Sequence, residues 1–592
     1  MKGKQSIVFL SGNEAIARGA WEAGCKVATA YPGTPSTEIL QNMTQYPEVD
    51  AEWSINEKVA LDVAAGASYA GARALVSMKH VGLNVAADPL FTLSYTGVRG
   101  GLVIVNCDDP QLHSSQNEQD NRHYARAAKL PMIEPADSVE AYEFTKVAFE
   151  LSERFDCPVI LRSTTRVSHA IGLVRVGERT EGPVPLDIKK DPEKLVMLPG
   201  FARLRHSKIE VRMREIEEFV ETFEHNCIEM GDEKIGVITA GISYLYVKEA
   251  LPEVSVLKLG ITWPMPKRKI REFASKVEKV YVVEELDPFI EDFVRGLGID
   301  VTGKAVLPIC GELNPATVRR AILGGEEKGV ELDADLPPRP PIMCPGCPHR
   351  GLFWVLKNEK VFVCGDIGCY TLAALKPLES LDSVLCMGAG IGQAFGIEKA
   401  LGDEAHGKVV AVIGDSTFAH SGITPLADIA YNKGRVPIII LDNRTTAMTG
   451  RQGNPMSGVT AYGENTNCID IEALARSLGV SNVWVINPYD IKETQKTVKK
   501  ALEANTTSVI VSRSPCVLLP EFSEIRKPPM VVDTELCDGC RTCLMVACPA
   551  VTWVTEERRL DGKKREGYAL IDEIMCTGCG VCASVCKKKA IK

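Results

Sequence analysis

The feature that most constrains this chain is a set of eight cysteines between residues 537 and 586. They form two runs, CDGCRTCLMVAC and CTGCGVCASVC, each with three closely spaced cysteines and a fourth further along. This spacing is typical of thiolates that ligate [4Fe-4S] clusters, and it favours iron-sulfur over a structural zinc site. The C-terminal segment is therefore predicted to hold two clusters and to carry single electrons.

In proteins with two such clusters, the fourth cysteine of each run ligates the other cluster. The first run departs from the usual spacing because four residues, not three, precede its last cysteine. A four-iron or a three-iron state of that cluster therefore stays open. The predicted ligand sets are Cys537, Cys540, Cys543 and Cys586 for one cluster, and Cys576, Cys579, Cys582 and Cys548 for the other.

The composition is that of a large globular protein. A length of 592 residues suggests about four domains. With a formal net charge of -9 and no extended basic segment, the sequence argues against a nucleic-acid partner. No apolar run reaches the ~20 residues that a membrane helix needs, and the N-terminus is predicted to be a strand, not a signal peptide. We therefore expect a cytoplasmic location and no membrane partner.

Cytosolic cysteines seldom form structural disulfides, so the twenty in this chain are expected to be metal ligands or buried apolar residues. Seven have no partner at ligand spacing and are predicted to be buried. They are Cys25, Cys107, Cys157, Cys227, Cys310, Cys386 and Cys468.

Apolar runs such as KVATAYP, ALVSM, GLVIVNC and PVILRS alternate with helix-like stretches. This is the rhythm of βα units on a parallel sheet. Residues 172–210 lose this periodicity and are predicted to form a linker, and proline-rich residues near 336–343 mark the next boundary. The predicted fold is three parallel-sheet α/β domains followed by an α+β cluster domain. The expected domains are 1–180, 181–335, 336–525 and 526–592.

Two strand-like runs end in polar residues that suit a metal. VVAVIGD ends at Gly414 and Asp415, and VPIIILDN ends at Asp442 and Asn443. Ligands of parallel α/β sheets lie at the carboxyl ends of strands, where Asp415 and Asn443 can converge. With a carbonyl such as that of Thr445, they are hard ligands suited to Mg²⁺ carrying a diphosphate.

The pattern resembles the thiamine diphosphate signature Gly-Asp-Gly followed by Asn-Asn, with Ser416 and Asp442 as departures. Upstream, Gly388 and Gly390 lie in a glycine turn at a predicted helix start, where free N–H groups favour phosphate. Thiamine also needs a carboxylate at its aminopyrimidine ring, and Glu57 opens a predicted helix in a different domain.

These residues, with YPGTPSTEI, SINEKVALDVAAG, CPGCPHRG, GDIGCYTL and GDSTFAHSGITPL, resemble the 2-oxoacid:ferredoxin oxidoreductase family, particularly its members that act on indolepyruvate. The resemblance implies a pyrimidine-binding domain, a transketolase-C-like domain, a diphosphate-binding domain and a two-cluster ferredoxin domain. It implies oxidative decarboxylation of aryl 2-oxoacids to acyl-coenzyme A, with electrons passed to ferredoxin.

The resemblance also implies roles for particular residues. Glu57 falls on the family's cofactor-activating glutamate, Thr34 on the threonine that meets the oxoacid, and Asp415 and Asn443 on the metal ligands. A third [4Fe-4S] cluster beside the thiamine is implied as well. Its ligands would be Cys344, Cys347, Cys369 and Cys516. The family's γ domain is missing from this chain, which implies a separate smaller subunit in a heterodimer or heterotetramer.

Other interpretations stay open at this point. The chain is alternatively a thiamine-dependent decarboxylase or lyase, or an electron-transfer scaffold without chemistry. The CPGC motif alone is also compatible with a turn or a zinc site. His80, His113 and His420 lie in motif-bearing loops and are candidates for contact with substrate or coenzyme A, although such histidines are more often structural.

Overall fold

Runs of Val and Ile form the strands of three largely parallel sheets, as the sequence predicts. The computed structural model describes residues 6–182, 185–325, 336–337, 339–560 and 562–592. Two units are described separately, an N-terminal unit up to residue 334 and a C-terminal unit from residue 335.

The N-terminal unit contains two α/β sheets and a two-stranded ribbon. Its strands are β1 (Ser6–Ser11), β2 (Val27–Ala30), β3 (Asp50–Trp53), β4 (Ala74–Lys79), β5 (Leu102–Asp108), β6 (Met132–Ile133), β7 (Val159–Thr164), β8 (Ile171–Val176), β9 (Cys227–Glu229), β10 (Asp232–Ala240), β11 (Val254–Leu259), β12 (Ile261–Trp263), β13 (Lys279–Val283) and β14 (Val301–Thr302).

The first sheet has the order β12-β6-β7-β5-β4-β2-β3, and its strands are parallel except β12. Strands β4, β5 and β7 are buried along their whole length, which explains why each begins with a run of apolar residues. The second sheet has the order β14-β13-β10-β11-β9, with only β9 antiparallel to its neighbour. The predicted N-terminal strand is confirmed over residues 6–11, but it pairs with β8 outside the main sheet.

Helices cover both sheets of this unit. They are α1 (Gly12–Glu22), α2 (Thr37–Met43), α3 (Glu57–Tyr69), α4 (His80–Val85), α5 (Ala87–Thr96), α6 (Arg122–Ala128), α7 (Ser138–Phe155), α8 (Thr165–His169), α9 (Pro192–Leu195), α10 (Pro199–Thr222), α11 (Gly241–Ala250), α12 (Lys267–Ala274), α13 (Phe289–Gly296) and α14 (Pro315–Leu323), with a short 3-10 segment at Pro110–Leu112.

The prediction of a linker over 172–210 was wrong. Strand β8 lies almost wholly inside this range, and α10 begins within it. Part of the buried face of α10 consists of arginines. Its apolar residues alone therefore do not mark the whole buried face in the sequence. Arg205 donates to Asp156 at 3.1 Å, and Arg212 donates to the Ser94 carbonyl at 2.9 Å. Because polar side chains do the packing here, a search for hydrophobic periodicity misses the helix.

The C-terminal unit contains the third sheet and an antiparallel hairpin. The sheet has the order β15-β16-β17-β19-β18, and all of its strands are parallel. Its strands are β15 (Phe362–Cys364), β16 (Val409–Gly414), β17 (Pro437–Asp442), β18 (Asn482–Ile486) and β19 (Ser508–Arg513), and the hairpin is β20 (Val551–Leu560) with β21 (Lys563–Ile571).

The helices of this unit are α15 (His349–Glu359), α16 (Ala389–Leu401), α17 (Asp415–Thr417), α18 (Ile423–Tyr431), α19 (Ile471–Ser477), α20 (Ile491–Leu502), α21 (Phe522–Ile525) and α22 (Val581–Ser584). Short 3-10 helices lie at Cys369–Ala374, Gly402–Ala405 and Thr542–Val546, and a π-helix lies at Phe418–Gly422. One buried core runs from Phe353 and Leu356 of α15 to Val546, Val581 and Val585 of the cysteine-rich tail. The tail is therefore packed against the third sheet's helices and is not a free appendage.

The predicted fold class is confirmed by these sheets and the hairpin-containing tail. The domain boundaries stay predictions, and the one at 335 falls on residues outside those that the structure describes. No helix among the described residues is both long and apolar enough to cross a bilayer.

The prediction that the seven isolated cysteines are buried was only partly right. Three are buried and Cys227 is half-buried. Cys310, Cys386 and Cys468 are exposed because they lie in loops, where no neighbouring element covers them.

Candidate active site and cluster sites

The carboxyl ends of β16 and β17 place two polar loops side by side, because these strands are parallel neighbours. Asp415 follows β16 and Asn443 follows β17, and both side chains are buried. The Thr446 hydroxyl donates to the Ser416 hydroxyl at 2.9 Å and joins the two loops. The predicted metal-binding side chains are therefore brought to one edge of the sheet.

Asp415 is the residue whose surroundings most favour a cation. Its side chain is 2% exposed; Oδ1 accepts the Ser416 N–H at 2.7 Å, but Oδ2 has no hydrogen-bond donor among the described residues. Burial, followed by the nearby charge of Asp442, raises the pKa of Asp415 to about 8. A buried oxygen without a donor is costly, and a divalent cation would remove that cost. The residues at this edge therefore fit Mg²⁺.

The loop after β17 is held by its own main chain. The Asn443 side-chain oxygen accepts the Thr445 N–H at 3.2 Å, and the Thr445 hydroxyl donates to the Gln452 carbonyl at 3.3 Å. At the end of β16, the Gly414 N–H donates to the Tyr370 hydroxyl at 2.9 Å, and a Cβ at Gly414 would lie 3.0 Å from the Tyr370 ring. Both loops thus have little freedom to move away from the site.

Asp442 occupies the signature position where asparagine is expected, and the structure gives it a different partner. Its Oδ2 accepts from Arg513 Nε at 2.6 Å, and Arg444 Nε lies 3.4 Å from its Oδ1. The carboxylate is therefore neutralised by two arginines beside the metal edge. This departure from the signature leaves Asp415 and Asn443 as the available side chains.

The glycine turn before α16 already holds a carboxylate. The N–H groups of Gly388 and Gly390 donate to the two oxygens of Asp366 at 3.0 and 3.3 Å. Burial raises the pKa of Asp366 to about 6. The phosphate role of these glycines stays a prediction, and as placed their N–H groups are bound to an acid. Sequence reasoning did not assign Asp366, although it lies in the GDIGC motif.

The tail contains two cavities that match the two predicted ligand sets. One small cavity is lined by the first set, and a second small cavity is lined by the other. Burial and the neighbouring Cys537 and Cys540 thiols raise the pKa of Cys543 to about 11. The sets are Cys537, Cys540, Cys543 and Cys586 in the first cavity, and Cys548, Cys576, Cys579 and Cys582 in the second. Each run therefore contributes its last cysteine to the other run's cavity.

Four further cysteines converge in the C-terminal unit, although they are distant in sequence. Burial, then the Cys516 and Cys344 thiols, raise the pKa of Cys369 to about 11. Burial is also the main reason that the pKa of Cys347 is raised, to about 12, and Cys369 and Cys344 add to it. The arrangement brings thiols from three separate segments near one another, which a lone CPGC turn would not need.

In the N-terminal unit, Glu57 is the first residue of α3 and its side chain is 6% exposed. The Asn56 side chain caps this helix by accepting the Val59 N–H at 2.9 Å. Glu57 lies flat against Gly82, where a Cβ would meet Glu57 Oε1 at 2.6 Å. The carboxylate therefore packs closely against the Gly82 backbone, near the carboxyl end of the first sheet.

Thr34 lies in the loop after β2, beside a lysine that sequence reasoning missed. The Lys79 side chain packs over Gly33, and its ammonium donates to the Ser114 carbonyl at 2.6 Å. The Ser114 hydroxyl donates to the Thr34 carbonyl at 3.4 Å. Burial lowers the pKa of Lys79 to about 8, although the Asp109 charge opposes this. The available signal was a lysine at the end of an otherwise apolar strand, SMKH.

The three candidate histidines differ in their surroundings. His80 is fully buried, its pKa is lowered to about 4 by burial, and its Nε2 lies 3.1 Å from the Asn117 carbonyl. His113 Nε2 lies 3.1 Å from Glu312, and His420 Nδ1 lies 2.5 Å from the Ser421 hydroxyl. Each has a partner within the protein, and their contact with substrate or coenzyme A stays a prediction.

Comparison with protein-family models gives three matches along the chain. Residues 18–197 match the pyruvate flavodoxin/ferredoxin oxidoreductase thiamine diphosphate-binding domain, residues 366–512 the C-terminal thiamine pyrophosphate-binding domain, and residues 529–587 a 4Fe-4S dicluster domain. The matches predict both kinds of cofactor from independent parts of the sequence.

Among characterised relatives, indolepyruvate oxidoreductase subunit IorA of Archaeoglobus fulgidus is 43% identical over 99% of this chain and 97% of its own length. The IorA subunit of Methanothermobacter thermautotrophicus is also 43% identical, with the same coverage. The chain belongs to the IorA family of indolepyruvate oxidoreductase subunits. A solved 2-oxoglutarate:ferredoxin oxidoreductase of Magnetococcus marinus aligns with a TM-score of 0.47 and 18% identity, over 54% of this chain and 65% of that one.

The family expected from the motifs is therefore confirmed, as is an oxidoreductase subunit with thiamine diphosphate-binding and 4Fe-4S dicluster domains. The ligand assignments, Mg²⁺, the third cluster and coenzyme A stay predictions for this IorA-family chain.

Replacing Asp415 with Asn tests the metal edge. We expect Mg²⁺-dependent thiamine diphosphate binding to weaken by about 100-fold or more, since loss of an outer-shell partner alone costs 10–100-fold. The melting temperature of the ligand-free protein should stay the same or rise, because the neutral amide removes an ionisable group that is buried near the charge of Asp442. Calorimetric titration and thermal scans measure both effects.

The control is Asp403→Asn, which alters a 94% exposed carboxylate in the same unit and should leave binding unchanged. Wild-type affinity in Asp415→Asn would contradict the assignment of this edge.

Proposed function

We propose that this chain is the larger catalytic subunit of an enzyme that oxidises aryl 2-oxoacids such as indolepyruvate. The products are carbon dioxide and the acyl-coenzyme A, and two electrons pass through [4Fe-4S] clusters to ferredoxin. One observation carries the proposal: a sheet edge suited to Mg²⁺ and a diphosphate shares a buried core with two cavities that are each lined by four cysteines. A decarboxylase needs only the first feature, and an electron-transfer scaffold needs only the second.

Asp415, Asn443 and the Thr445 carbonyl would hold Mg²⁺ and, through it, the diphosphate. The support is the donor chemistry of these groups and the buried, unpartnered Oδ2 of Asp415. Bound thiamine diphosphate supplies the electron sink that lets a 2-oxoacid lose carbon dioxide. Gly414 lets the backbone at the end of β16 approach the Tyr370 ring closely. Ser416 joins the loop after β16 to the loop after β17 through its hydrogen bond with Thr446.

Glu57 would bind the aminopyrimidine ring and exchange a proton with it. The support is its burial and its close packing against Gly82. A carboxylate held in this way loses little freedom when the ring binds, and it is ready to transfer a proton.

Thr34 and Lys79 would meet the oxoacid. Lys79 carries a buried ammonium that donates to the neutral Ser114 carbonyl, so it has capacity to bind a carboxylate. A charge-assisted hydrogen bond between these groups would fix the carboxylate end of the substrate, leaving the aryl group to other residues.

The third cluster is proposed at Cys344, Cys347, Cys369 and Cys516. Its support is that these four thiols come from three segments of the chain and influence one another's pKa. Coenzyme A is proposed as the acyl acceptor. We also propose a smaller partner subunit that supplies the γ domain, in a heterodimer or a heterotetramer with two copies of each chain. The relatives are themselves named as subunits. Ferredoxin is the proposed electron acceptor, in the cytoplasm.

Replacing Glu57 with Gln should lower turnover by about 100-fold, since a positioned acid-base group contributes 10²–10⁴-fold. The assay is anaerobic and uses this chain coexpressed with its small subunit, indolepyruvate, coenzyme A and ferredoxin or a viologen. Iron content should not change. Glu249→Gln, at an exposed position of α11, is the control.

In the same assay, aldehyde release by the wild-type enzyme without acceptor reduction would favour a lyase. If no thiamine diphosphate bound to the purified complex, a non-catalytic scaffold would be favoured.

Replacing Lys79 with Met should raise the KM for indolepyruvate by about 10- to 100-fold, because a hydrogen bond to a charged group is worth ~1.5–3 kcal/mol. The wild-type KM should also rise above pH 8, where the ammonium loses its proton. The variant should lose that pH dependence. Lys58→Met removes an exposed ammonium on α3 and should change neither quantity. An unchanged KM in Lys79→Met would exclude the lysine from substrate binding.

Replacing Cys347 with Ala should remove about four iron atoms per chain, since a [4Fe-4S] cluster needs its four thiolates. Iron and sulfide analysis of anaerobically purified protein measures the loss. Cys310→Ala, which alters an exposed cysteine, is the matched control. Equal iron in both variants would mean that these four cysteines hold no cluster.

A further inference from the structure

Arg350 lies in the first turn of α15, three residues after the CPGC motif. Its side chain is 2% exposed, which is rare for an arginine. Neither the sequence motifs nor the thiamine site gives it a role.

The guanidinium group bridges two segments of the chain that are almost two hundred residues apart. On one side, Nη2 and Nε donate to the Cys344 carbonyl at 3.1 and 3.2 Å, and Nη2 also donates to the Met343 carbonyl. On the other side, Nη1 donates to the Val546 carbonyl at 3.3 Å and to the Ala547 carbonyl. Arg350 thus joins the backbone before Cys347 to the backbone before Cys548.

All of these acceptors are neutral. Within the described part of the chain, no carboxylate forms an ion pair with Arg350. Burial lowers the pKa of the Arg350 guanidinium, and the groups that oppose this are thiols of Cys347, Cys548, Cys344 and Cys579. Arg350 also lines the cavity that contains Cys548 and Cys579. Its surroundings are therefore two sets of cysteines and no acid.

A buried cation with only carbonyl partners is costly, because desolvation is not repaid by an opposite charge. Four thiolates around an iron-sulfur centre supply that opposite charge. The reduction potential of such a centre depends on nearby charge and hydrogen bonding, and a close cation favours the reduced, more negative state. The low dielectric of the core strengthens this effect.

We propose that Arg350 is a positioning residue shared by two clusters, and that its charge raises the reduction potential of both. The two are the cluster at Cys548, Cys576, Cys579 and Cys582 and the cluster proposed at Cys344, Cys347, Cys369 and Cys516. The inference rests on the proposed function, because the second of these clusters is part of that proposal. The same hydrogen bonds hold the tail module against α15, so one side chain fixes both the spacing and the charge between the two sites.

The test is an anaerobic redox titration of the full heteromeric holoenzyme, followed by electron paramagnetic resonance. It compares wild type, Arg350→Gln, Arg350→Lys and the control Arg435→Gln, which alters an arginine paired with Glu398 and Asp403. At a fixed potential, Arg350→Gln should lower the reduced-to-oxidised ratio of two clusters about tenfold, a 59 mV shift for a one-electron couple. The cluster at Cys537 should keep its potential.

Arg350→Lys retains the charge and should shift the two potentials by less than half as much. If Arg350→Gln does not retain its clusters, the test rests on Arg350→Lys. A tenfold change in the reduced-to-oxidised ratio of that variant would show that the charge of Arg350 does not set the potentials. No shift in Arg350→Gln, a shift of only one cluster, or an equal shift of every cluster would overturn the proposal. Iron analysis of the wild type separates failure of the proposed third cluster from failure of the proposed role of Arg350. About eight iron atoms per chain would show that the third cluster does not exist. About twelve atoms, with potentials unchanged in Arg350→Gln, would exclude only the role of Arg350.

Discussion

A charge taken out of water must be matched by an opposite charge or by hydrogen bonds, and the described parts of this chain meet that requirement in two ways. In the N-terminal unit, several buried arginines have acidic partners. Arg122 binds Asp120 and Glu284, and Arg162 binds Asp108 and Glu134. These groups are neutralised within the protein, and the Arg122–Glu284 pair joins the first sheet's side of the unit to the end of β13.

The C-terminal unit contains two buried groups near the predicted cofactor sites that lack such partners. Asp415 keeps one carboxylate oxygen without a donor, and Arg350 donates only to carbonyl groups. One is an acid that fits a cation, and the other is a cation that lies beside thiols. Bound cofactors would supply the missing charge partners, and folding and cofactor loading of this unit would then be thermodynamically coupled. The core shared by α15 and the tail would carry that coupling within the unit.

The sequence was informative where function depends on local spacing. The two cysteine runs predict their own cluster sets, and the cavities group Cys548 and Cys586 with the opposite runs as expected. The strands that lead to Asp415 and Asn443 could also be predicted from the sequence, because a buried parallel strand is a continuous apolar run. Contacts between segments that are distant in the sequence could not be predicted. Nothing in CPHR indicates that the arginine reaches the Val546 carbonyl.

The helix α10 was missed for a related reason, since its buried arginines pack where apolar residues are expected. Asp366 was overlooked because an acid at a glycine turn looks like a loop residue until its two N–H donors are seen. In each case the group that forms the hydrogen bond lies elsewhere in the chain. A sequence pattern shows which residues are present but not which of them are close together in the fold.

Strand β12 has a consequence for how the protein is made. Residues 261–263 complete the edge of the first sheet by pairing with β6, long after the rest of that sheet has been synthesised. The hydrogen bond from the Glu134 N–H to the Gly260 carbonyl, at 2.8 Å, closes the same edge. Until the ribosome has passed this point, β6 is a bare edge strand, open to pairing with other nascent chains. The first sheet can therefore be completed only after the chain has been synthesised well beyond the last of its parallel strands.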